Sequence, residues 1–156
     1  MTPDATDLAI LRTLQQDGQT SNKDLSIAVG LSPSATLGRV RGLFQDGYVR
    51  NVTAVLNPSA LGLTLLAFVL VDVEFNASGS DLMEKLASEE HVLEAHTVTG
   101  SAFCILKVRT TGTEQLNEVI FRIMCVQGVR NTNTLIVLHS YKESTAIPLP
   151  AAGGQG

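Results

Sequence analysis

The sequence predicts an α+β chain in which an N-terminal winged helix-turn-helix domain precedes a C-terminal domain of ferredoxin-like βαββαβ order. Before Gly47, apolar residues recur at helical spacing in three short segments that begin near capping residues. After Leu63, strand-like and helix-like segments follow one another. The predicted boundaries are 1–56 for the helical domain, 57–63 for a linker, 64–143 for the second domain and 144–156 for a disordered tail rich in Pro, Ala and Gly.

The first two helices are predicted from their ends. Asp4 or Thr6 is placed to cap the first helix, and Gly18 ends it. The second helix begins after Ser21, a favourable N-cap, and stops at Gly30. These ends predict two short helices joined by a turn.

A third helix is predicted from its N-cap Ser32 to about Asp46. Pro33 occupies the first helical position, where its missing N–H does no harm. The tight turn at 30–32 completes a helix-turn-helix layout. One side of the third helix is apolar, and the other side is free to enter a major groove. The free side carries Ser34, Ala35, Gly38, Arg39, Arg41 and Gly42.

The rest of the chain has strand patterns. Tyr48–Leu56 alternates and is rich in β-branched residues, which predicts a short strand or wing that closes the small domain. The second domain is predicted as strand Thr64–Phe75, helix Ser80–Ser88, strands Val92–Thr99 and Phe103–Arg109, helix Thr113–Val126 and strand Val129–Tyr141. This order places both helices on one face of an antiparallel sheet.

The first strand of that sheet is apolar on both sides between Leu65 and Val73. Because both helices are expected on one face, the other face needs a separate cover. A second copy of the chain is the simplest cover, so we expect a homodimer.

Charge is unevenly distributed along the chain. Residues 1–60 hold five basic and five acidic side chains, whereas residues 61–156 hold six basic and ten acidic ones, which accounts for the whole net charge of −4. Neutralising DNA phosphates requires Lys and Arg. Between Ser32 and Thr53 three arginines stand against Asp46 alone. The local balance therefore permits binding of double-stranded DNA.

Other functional classes are not indicated. The N-terminus lacks a signal-peptide pattern and no apolar run reaches about 20 residues, so we expect a soluble, cytoplasmic protein without a membrane partner. Cys104 and Cys125 lie in apolar runs, which predicts buried, reduced thiols. His91, His96 and His139 form no metal or nucleophile–base pattern, so neither a metal, nor a cofactor, nor catalytic residues are expected.

Short motifs between about Asp7 and Lys142 occur in an informative order. No single motif is specific, but their order and spacing are. Through them the chain resembles the Lrp/AsnC (feast/famine) family of regulators. The motifs are DLAILRTLQQDG at 7–18, DLSIAVGLSPS at 24–34, RVRGL at 39–43, GYV at 47–49, LNP at 56–58, VTG at 98–100, LKV at 106–108 and GV at 128–129.

The resemblance implies a transcription regulator. Members of the family bind DNA as dimers or as rings of dimers, near genes of amino-acid metabolism. In them a small molecule, often an amino acid, binds at subunit interfaces of the second domain, the RAM domain, and alters assembly or DNA affinity. For this chain the resemblance implies a homodimer that assembles to an octamer and responds to an effector of this kind.

The third helix is the expected DNA-recognition element. Hydroxyls at its start suit phosphates or base edges, and arginines suit phosphates and guanines. Gly38 and Gly42 stand where relatives usually carry larger side chains, so we expect reduced affinity, with compensation from Arg50 in the wing. Ser21 and Asn22 are explained equally well by helix capping alone. The expected DNA-contacting set is Ser21, Asn22, Ser32, Ser34, Thr36, Arg39, Arg41 and Arg50.

The expected effector site departs from the family pattern. Relatives usually continue the VTG motif as Gly-Asp-aromatic-Asp, whereas this chain has Ser101, Ala102 and Phe103 after Gly100. A carboxylate is a natural partner for an ammonium group. Its loss indicates a different ligand, a grip by backbone groups only, or no ligand. The expected walls of the site are Thr99, Gly100, Ser101, Ala102 and Phe103 on the hairpin, and Thr132, Thr134 and Ile136 on the last strand.

Two alternatives belong to other functional classes. Sirohaem decarboxylases resemble Lrp/AsnC proteins and use His and Arg residues around a tetrapyrrole, but the second domain here is net acidic, which disfavours an enzyme of that type. The other alternative is a protein that no longer binds DNA and only assembles with related regulators, which Gly38 and Gly42 keep open.

Overall fold

The computed structural model describes residues 2–74 and 79–150, and the chain divides into two compact units. The first unit contains the chain up to Val55 together with the tail from Glu143, and the second spans Leu56–Lys142. The tail therefore belongs to the first unit although it follows the second in sequence. Among the helices of the described ranges, none has the length and hydropathy to cross a bilayer.

Three helices form the first unit: α1 (Ala5–Gln16), α2 (Asn22–Val29) and α3 (Pro33–Gln45). Each begins after a side chain that accepts a hydrogen bond from an amide of the first turn, and these caps are Asp4, Ser21 and Ser32. Gly30 ends α2 with a φ of 67°, in the left-handed region where a side chain is strained. The predicted helix-turn-helix is confirmed.

A small apolar core joins these helices. Leu8 and Ile10 of α1, Leu25 of α2 and Leu43 of α3 are all buried. Helices of this length are marginal in water by themselves. Burial of this shared core therefore has to stabilise all three together.

The predicted wing is wrong as a strand. Residues 49–57 form no regular secondary structure, and Val55 is 84% exposed. A strand needs a neighbour to take its backbone hydrogen bonds, and the described part of the first unit contains no strand that could pair with this segment. Val52 instead lies against the turn after α1, where a Cβ on Gly18 would come within 2.7 Å of Val52 Cγ1.

The C-terminal tail has one defined contact. Residues 144–150 contain no helix or strand. The Gln15 side chain nevertheless binds both backbone groups of Ile147, donating from Nε2 to its carbonyl at 2.9 Å and accepting from its amide at 3.0 Å. The tail expected to be disordered is thus held against the end of α1 at Ile147, while residues 151–156 lie outside the described residues.

The second unit contains β1 (Leu65–Val73), α4 (Gly79–Ala87), β2 (Val92–Thr97), β3 (Cys104–Thr110), α5 (Thr113–Met124) and β4 (Val129–Ile136). The strands form an antiparallel sheet in the spatial order β2-β3-β1-β4, which confirms the predicted βαββαβ arrangement. β4 ends at Ile136, not at the predicted Tyr141; beyond it the Val137 amide still donates to the Leu66 carbonyl at 2.9 Å, but residues 137–141 are not part of a strand. Phe75, the predicted end of the first strand, lies outside the described residues.

Both helices pack on one face of the sheet. The buried core on this face consists of Ala67, Val69, Val71, Leu82, Leu86, Cys104, Leu106, Val108, Leu116, Val119 and Ile123. The alternate residues of the strands lie on the opposite face. There Phe68 is paired across the strands with Leu135, and Leu70 with Ile105. Leu135 is 53% exposed, so this second face presents apolar surface to solvent.

The two cysteines have different surroundings. Cys104 is buried in the sheet core, and desolvation raises the pKa of its thiol to about 11. Cys125 is exposed, so the prediction that both thiols are buried is wrong for this residue. Cys125 is the C-cap residue of α5, so it lies just beyond the helix that packs on the sheet.

We expect Gly38→Ala to raise the free energy of unfolding by roughly 0.5–1 kcal/mol, because Ala restricts the unfolded chain and is the better helix former. The new Cβ would meet no atom within 4 Å. Urea unfolding followed by far-UV circular dichroism measures the change. Gly30→Ala is the matched control, and it should lower stability because its φ is 67°. Equal effects of the two substitutions would contradict the explanation.

Candidate nucleic-acid interface and effector region

The N-termini of α2 and α3 are joined by a side chain. Asn22 Nδ2 donates to the Pro33 carbonyl at 2.8 Å, whereas Asn22 Oδ1 is buried and has no partner among the described residues. The caps Ser21 and Ser32 are exposed, and the Ser34 hydroxyl lies 3.2 Å from that of Ser32. Helix N-termini carry partial positive charge and free amides. This end of the motif therefore suits an anion such as a phosphate.

The exposed side of α3 carries Ser34 and Arg41. They are seven residues apart, close to two helical turns, so they project along one line. Both side chains are exposed. Arg50 is also exposed, but it lies on the extended segment after α3 and not on a strand.

Thr36 has to be removed from the predicted DNA-facing set. Its side chain is fully buried, and its hydroxyl donates to the Ser32 carbonyl at 3.1 Å. Thr36 and the buried Leu43 are seven residues, about two helical turns, apart, so both lie on the side of α3 that faces the core of the first unit. A side chain without exposed surface cannot reach a phosphate or a base edge.

Arg39 is held inside the first unit. Its Nη1 donates to Asp4 Oδ2 at 2.7 Å and to Asp7 Oδ1 at 2.9 Å. These hydrogen bonds, first to Asp7 and then to Asp4, raise the pKa of Arg39. The pKa of Asp4 is lowered, first because its carboxylate accepts the Asp7 amide and second because it accepts Arg39. The sequence alone does not predict this contact, since 32 residues separate Asp7 from Arg39.

A groove of about 420 Å³ lies beside Arg39 in the same unit. Gly38 and Gly42 form part of its wall, and neither has an atom within 4 Å of the position a Cβ would take. The two glycines therefore open space between α3 and the start of α1. The lining residues are Pro3, Asp4, Asp7, Ala35, Gly38, Arg39, Gly42, Leu43, Asp46 and Tyr48.

In the second unit, the hairpin expected to hold an effector is anchored to β1. Gly100 has a φ of 118°, which favours glycine. The Phe103 amide donates to the Val71 carbonyl at 3.0 Å, and the Val98 amide donates to the Phe103 carbonyl at 3.1 Å. Thr99, Gly100 and Ser101 are exposed at this turn, and Ala102 is half-buried.

The structure brings only part of the predicted second wall near this hairpin. Thr132 is the β4 partner of Val71, so it lies one strand away from Phe103. Ile136 is the partner of Ala67, four residues along β1 and thus roughly 13 Å farther from the hairpin. Thr134 lies between them.

The second unit also contains an ion-pair cluster that no sequence motif indicated. Arg122 of α5 donates from Nε and Nη2 to the Glu89 carboxylate at 2.9 and 2.8 Å, and His91 Nδ1 lies 3.3 Å from Glu89 Oε1. The pKa of Glu89 is lowered to about 2, chiefly by Arg122. Thirty-three residues separate the two partners, so no local pattern indicates the pair. Arg122 also lines an open groove of about 390 Å³ on α5, together with Phe121 and Met124.

Family models match both parts of the chain. The AsnC-type helix-turn-helix domain matches residues 4–43, which include α1, α2 and most of α3. The Lrp/AsnC ligand binding domain matches residues 66–147, which include both helices of the second unit and all of the sheet except Leu65. The order of the two matches is the order of the two folds described above.

Individual proteins are similar over almost the whole length. The HTH-type transcriptional regulator FL11 of Pyrococcus abyssi is 34% identical over 146 residues, 94% of this chain and 96% of the relative. The leucine-responsive regulatory protein of Escherichia coli K12 is 34% identical over 149 residues, 92% of this chain and 90% of the relative. Both names describe regulators.

A solved structure has the same fold. The transcriptional regulator NMB0573 of Neisseria meningitidis, in complex with L-Met, superposes with a TM-score of 0.87 at 31% identity and covers 94% of this chain and 97% of its own. The match therefore spans almost the full length of both chains. The helix-turn-helix, the antiparallel sheet with its two helices, the family models and the relatives agree, and the chain belongs to the Lrp/AsnC family of transcriptional regulators.

Proposed function

We propose that this regulator binds specific sites on double-stranded DNA through the exposed side of α3 and the adjoining N-termini of α2 and α3. The observation that carries the proposal is the line formed by Ser34 and Arg41, next to two capped helix N-termini joined through Asn22. Hydroxyls, helix amides and an arginine are the groups that bind phosphates and guanine edges. The proposed contacts are Ser21, Asn22, Ser32, Ser34, Arg41 and Arg50.

The first test is a salt titration on a labelled fragment of the protein's own upstream DNA, with unrelated DNA alongside. We expect preference for the upstream fragment and affinity that falls steeply with salt, because bound phosphates release counterions. Arg41→Gln should reduce the salt slope by about 0.9 if it removes one phosphate contact. Arg130→Gln, which replaces an exposed arginine of the second unit, is the matched control. Equal, weak binding to both fragments would contradict the proposal and favour a partner that only assembles with related regulators.

We also propose that two copies dock through the open face of the sheet. Phe68, Leu70, Ile105 and Leu135 form an apolar centre there, and both helices of the unit lie on the other face. Lys107 and Asn133 lie on the same face beside these residues. An exposed apolar centre with polar neighbours favours association with an identical, self-complementary surface. Further assembly of such dimers to an octamer is the arrangement implied by the family resemblance.

Leu135→Glu should convert the dimer to monomers, because it places a charge beside Phe68 in the face proposed to be buried. Leu135 is already 53% exposed in the single chain, so the protomer should still fold. Sedimentation velocity measures the assembly state. Leu138→Glu changes the same residue type at a position that is 96% exposed and lies beyond β4, and it should leave the assembly intact. An unchanged mass for Leu135→Glu would remove this face from the interface.

We propose that the effector is an amino acid held at the hairpin end of the sheet, between subunits. The L-Met in the NMB0573 complex supports this chemistry. Ser101 and Ala102 supply no carboxylate, so the hairpin would bind the ligand through its backbone groups and the Ser101 and Thr99 hydroxyls. Of the predicted β4 wall, Thr132 lies nearest to Gly100 and Phe103 of the hairpin. It pairs with the buried Val71, so its side chain lies on the helix side of the sheet and not on the open face proposed for docking, and Thr134 and Ile136 follow on the same side.

Isothermal titration with single amino acids, L-Met and L-Leu first, tests this proposal. We expect Thr132→Val to weaken binding by about tenfold, the effect of losing one good hydrogen bond. Thr134→Val makes the same change two residues farther from the hairpin and should weaken binding less. Absence of heat with every amino acid, in protein that is shown to bind DNA, would overturn the effector proposal.

We infer that the chain is not an enzyme. The relatives at similar length are named as regulators, and the second unit carries the net negative charge that disfavours a sirohaem-type site. Absorbance titration with a tetrapyrrole separates the alternatives, since an enzyme of that type would bind it. The proposed place of action is the cytoplasm, because that is where a bacterial or archaeal regulator meets DNA.

A further inference from the structure

Asp4 and Asp7 form a reciprocal capping box at the start of α1. The Asp4 carboxylate accepts the Asp7 amide at 2.8 Å, and the Asp7 carboxylate accepts the Asp4 amide at 3.1 Å. This reciprocal pair satisfies two amides that a helix start leaves open. It also brings two carboxylates together, and one of them is removed from water, because Asp7 is only 2% exposed.

Arg39 neutralises that pair. A buried carboxylate is costly unless it is hydrogen-bonded and balanced by opposite charge. Nη1 of Arg39 reaches both carboxylates, at 2.7 Å for Asp4 and 2.9 Å for Asp7. The same nitrogen therefore links α3 to both residues of the α1 cap.

Arg39 and Arg41 point in different directions. On an α-helix, residues two positions apart in sequence are about 200° apart around the helix axis. Arg39 is directed to α1, whereas Arg41 is exposed on the line that contains Ser34. The two arginines of the RVR segment thus have separate tasks.

We propose that Arg39 is a positioning residue that fixes α3 against α1 through Asp4 and Asp7, and that it does not bind DNA phosphate. Arg41 is the arginine of this segment that does. This inference rests on the proposed DNA-binding function. It explains why two carboxylates lie beside the proposed recognition helix of a DNA-binding unit. Asp4 and Asp7 hold α3 against α1 through Arg39, and the positive charge of Arg39 partly neutralises them.

The test is the salt dependence of binding to the upstream fragment for Arg39→Gln, Arg41→Gln and Asp7→Asn. Loss of a phosphate contact should reduce the slope by about 0.9, and we expect this for Arg41→Gln only. Arg39→Gln should keep the wild-type slope and lose about tenfold in affinity, comparable to losing one base contact through misplacement of α3. Arg39→Lys, which keeps the charge, should recover part of that loss.

The Asp7→Asn variant separates two roles of Asp7, because a general charge effect and a positioning role predict changes of opposite sign in DNA affinity. Removing a negative charge near DNA would by itself strengthen binding to a polyanion. If Asp7 positions α3, the same substitution weakens specific binding, and combining it with Arg39→Gln adds little further loss. A reduced slope for Arg39→Gln, or tighter binding by Asp7→Asn, overturns the proposal.

A measurement without DNA separates this inference from the proposed function. Urea unfolding of the wild type, Arg39→Gln, Asp7→Asn and the double variant forms a double-mutant cycle. Destabilisations that are clearly less than additive support the contact even if the upstream fragment proves not to be a target. Additive destabilisations overturn the proposed Arg39–Asp7 positioning contact, whatever the DNA experiment gives.

Discussion

The first unit depends on how the open amides at its helix starts are satisfied. Its helices contain 8 to 13 residues, too few for independent stability in water. Side chains of Asp4, Ser21 and Ser32 satisfy these amides, and the same residues have second tasks. The α1 cap holds Arg39 of α3, and the α3 cap stands at the helix start proposed to face DNA. Helix initiation, helix packing and the surface proposed to recognise DNA therefore share a few polar groups.

In the second unit the central position of β1 has a comparable effect. β1 pairs with β3 on one side and with β4 on the other, so its alternate residues contribute to both faces of the sheet. Ala67, Val69 and Val71 are buried under the helices, and Phe68 and Leu70 lie on the open face. One apolar strand thus contributes both to the core under the helices and to the face proposed to dock a second copy, which is why a single chain leaves apolar area exposed.

Membership of the family does not determine the chemistry of each site, because function depends on particular side chains placed on a shared fold. Two departures matter in this chain. Gly38 and Gly42 open a groove beside α3 where larger side chains would extend the recognition surface. Ser101 and Ala102 leave the hairpin without carboxylates, so a ligand there would meet backbone groups and hydroxyls.

Local sequence was enough to predict the helices of the first unit, the caps Ser21 and Ser32 and the βαββαβ order, because each depends on neighbours within a few residues. The choice of Asp4 over Thr6 as the α1 cap came from the structure. The tertiary fold set the partners of Arg39, since Asp4 and Asp7 belong to the start of a different helix. It also buried Thr36, which was expected to contact DNA. The predicted wing strand was wrong for the same reason. Alternation in residues 48–56 predicts a strand, but a strand forms only where a neighbouring strand offers backbone hydrogen bonds. The predicted walls of the effector site are not all close together. The register of β1 and β4 places Thr132 beside Val71 but Ile136 beside Ala67, and register depends on how two strands pair, not on either segment alone.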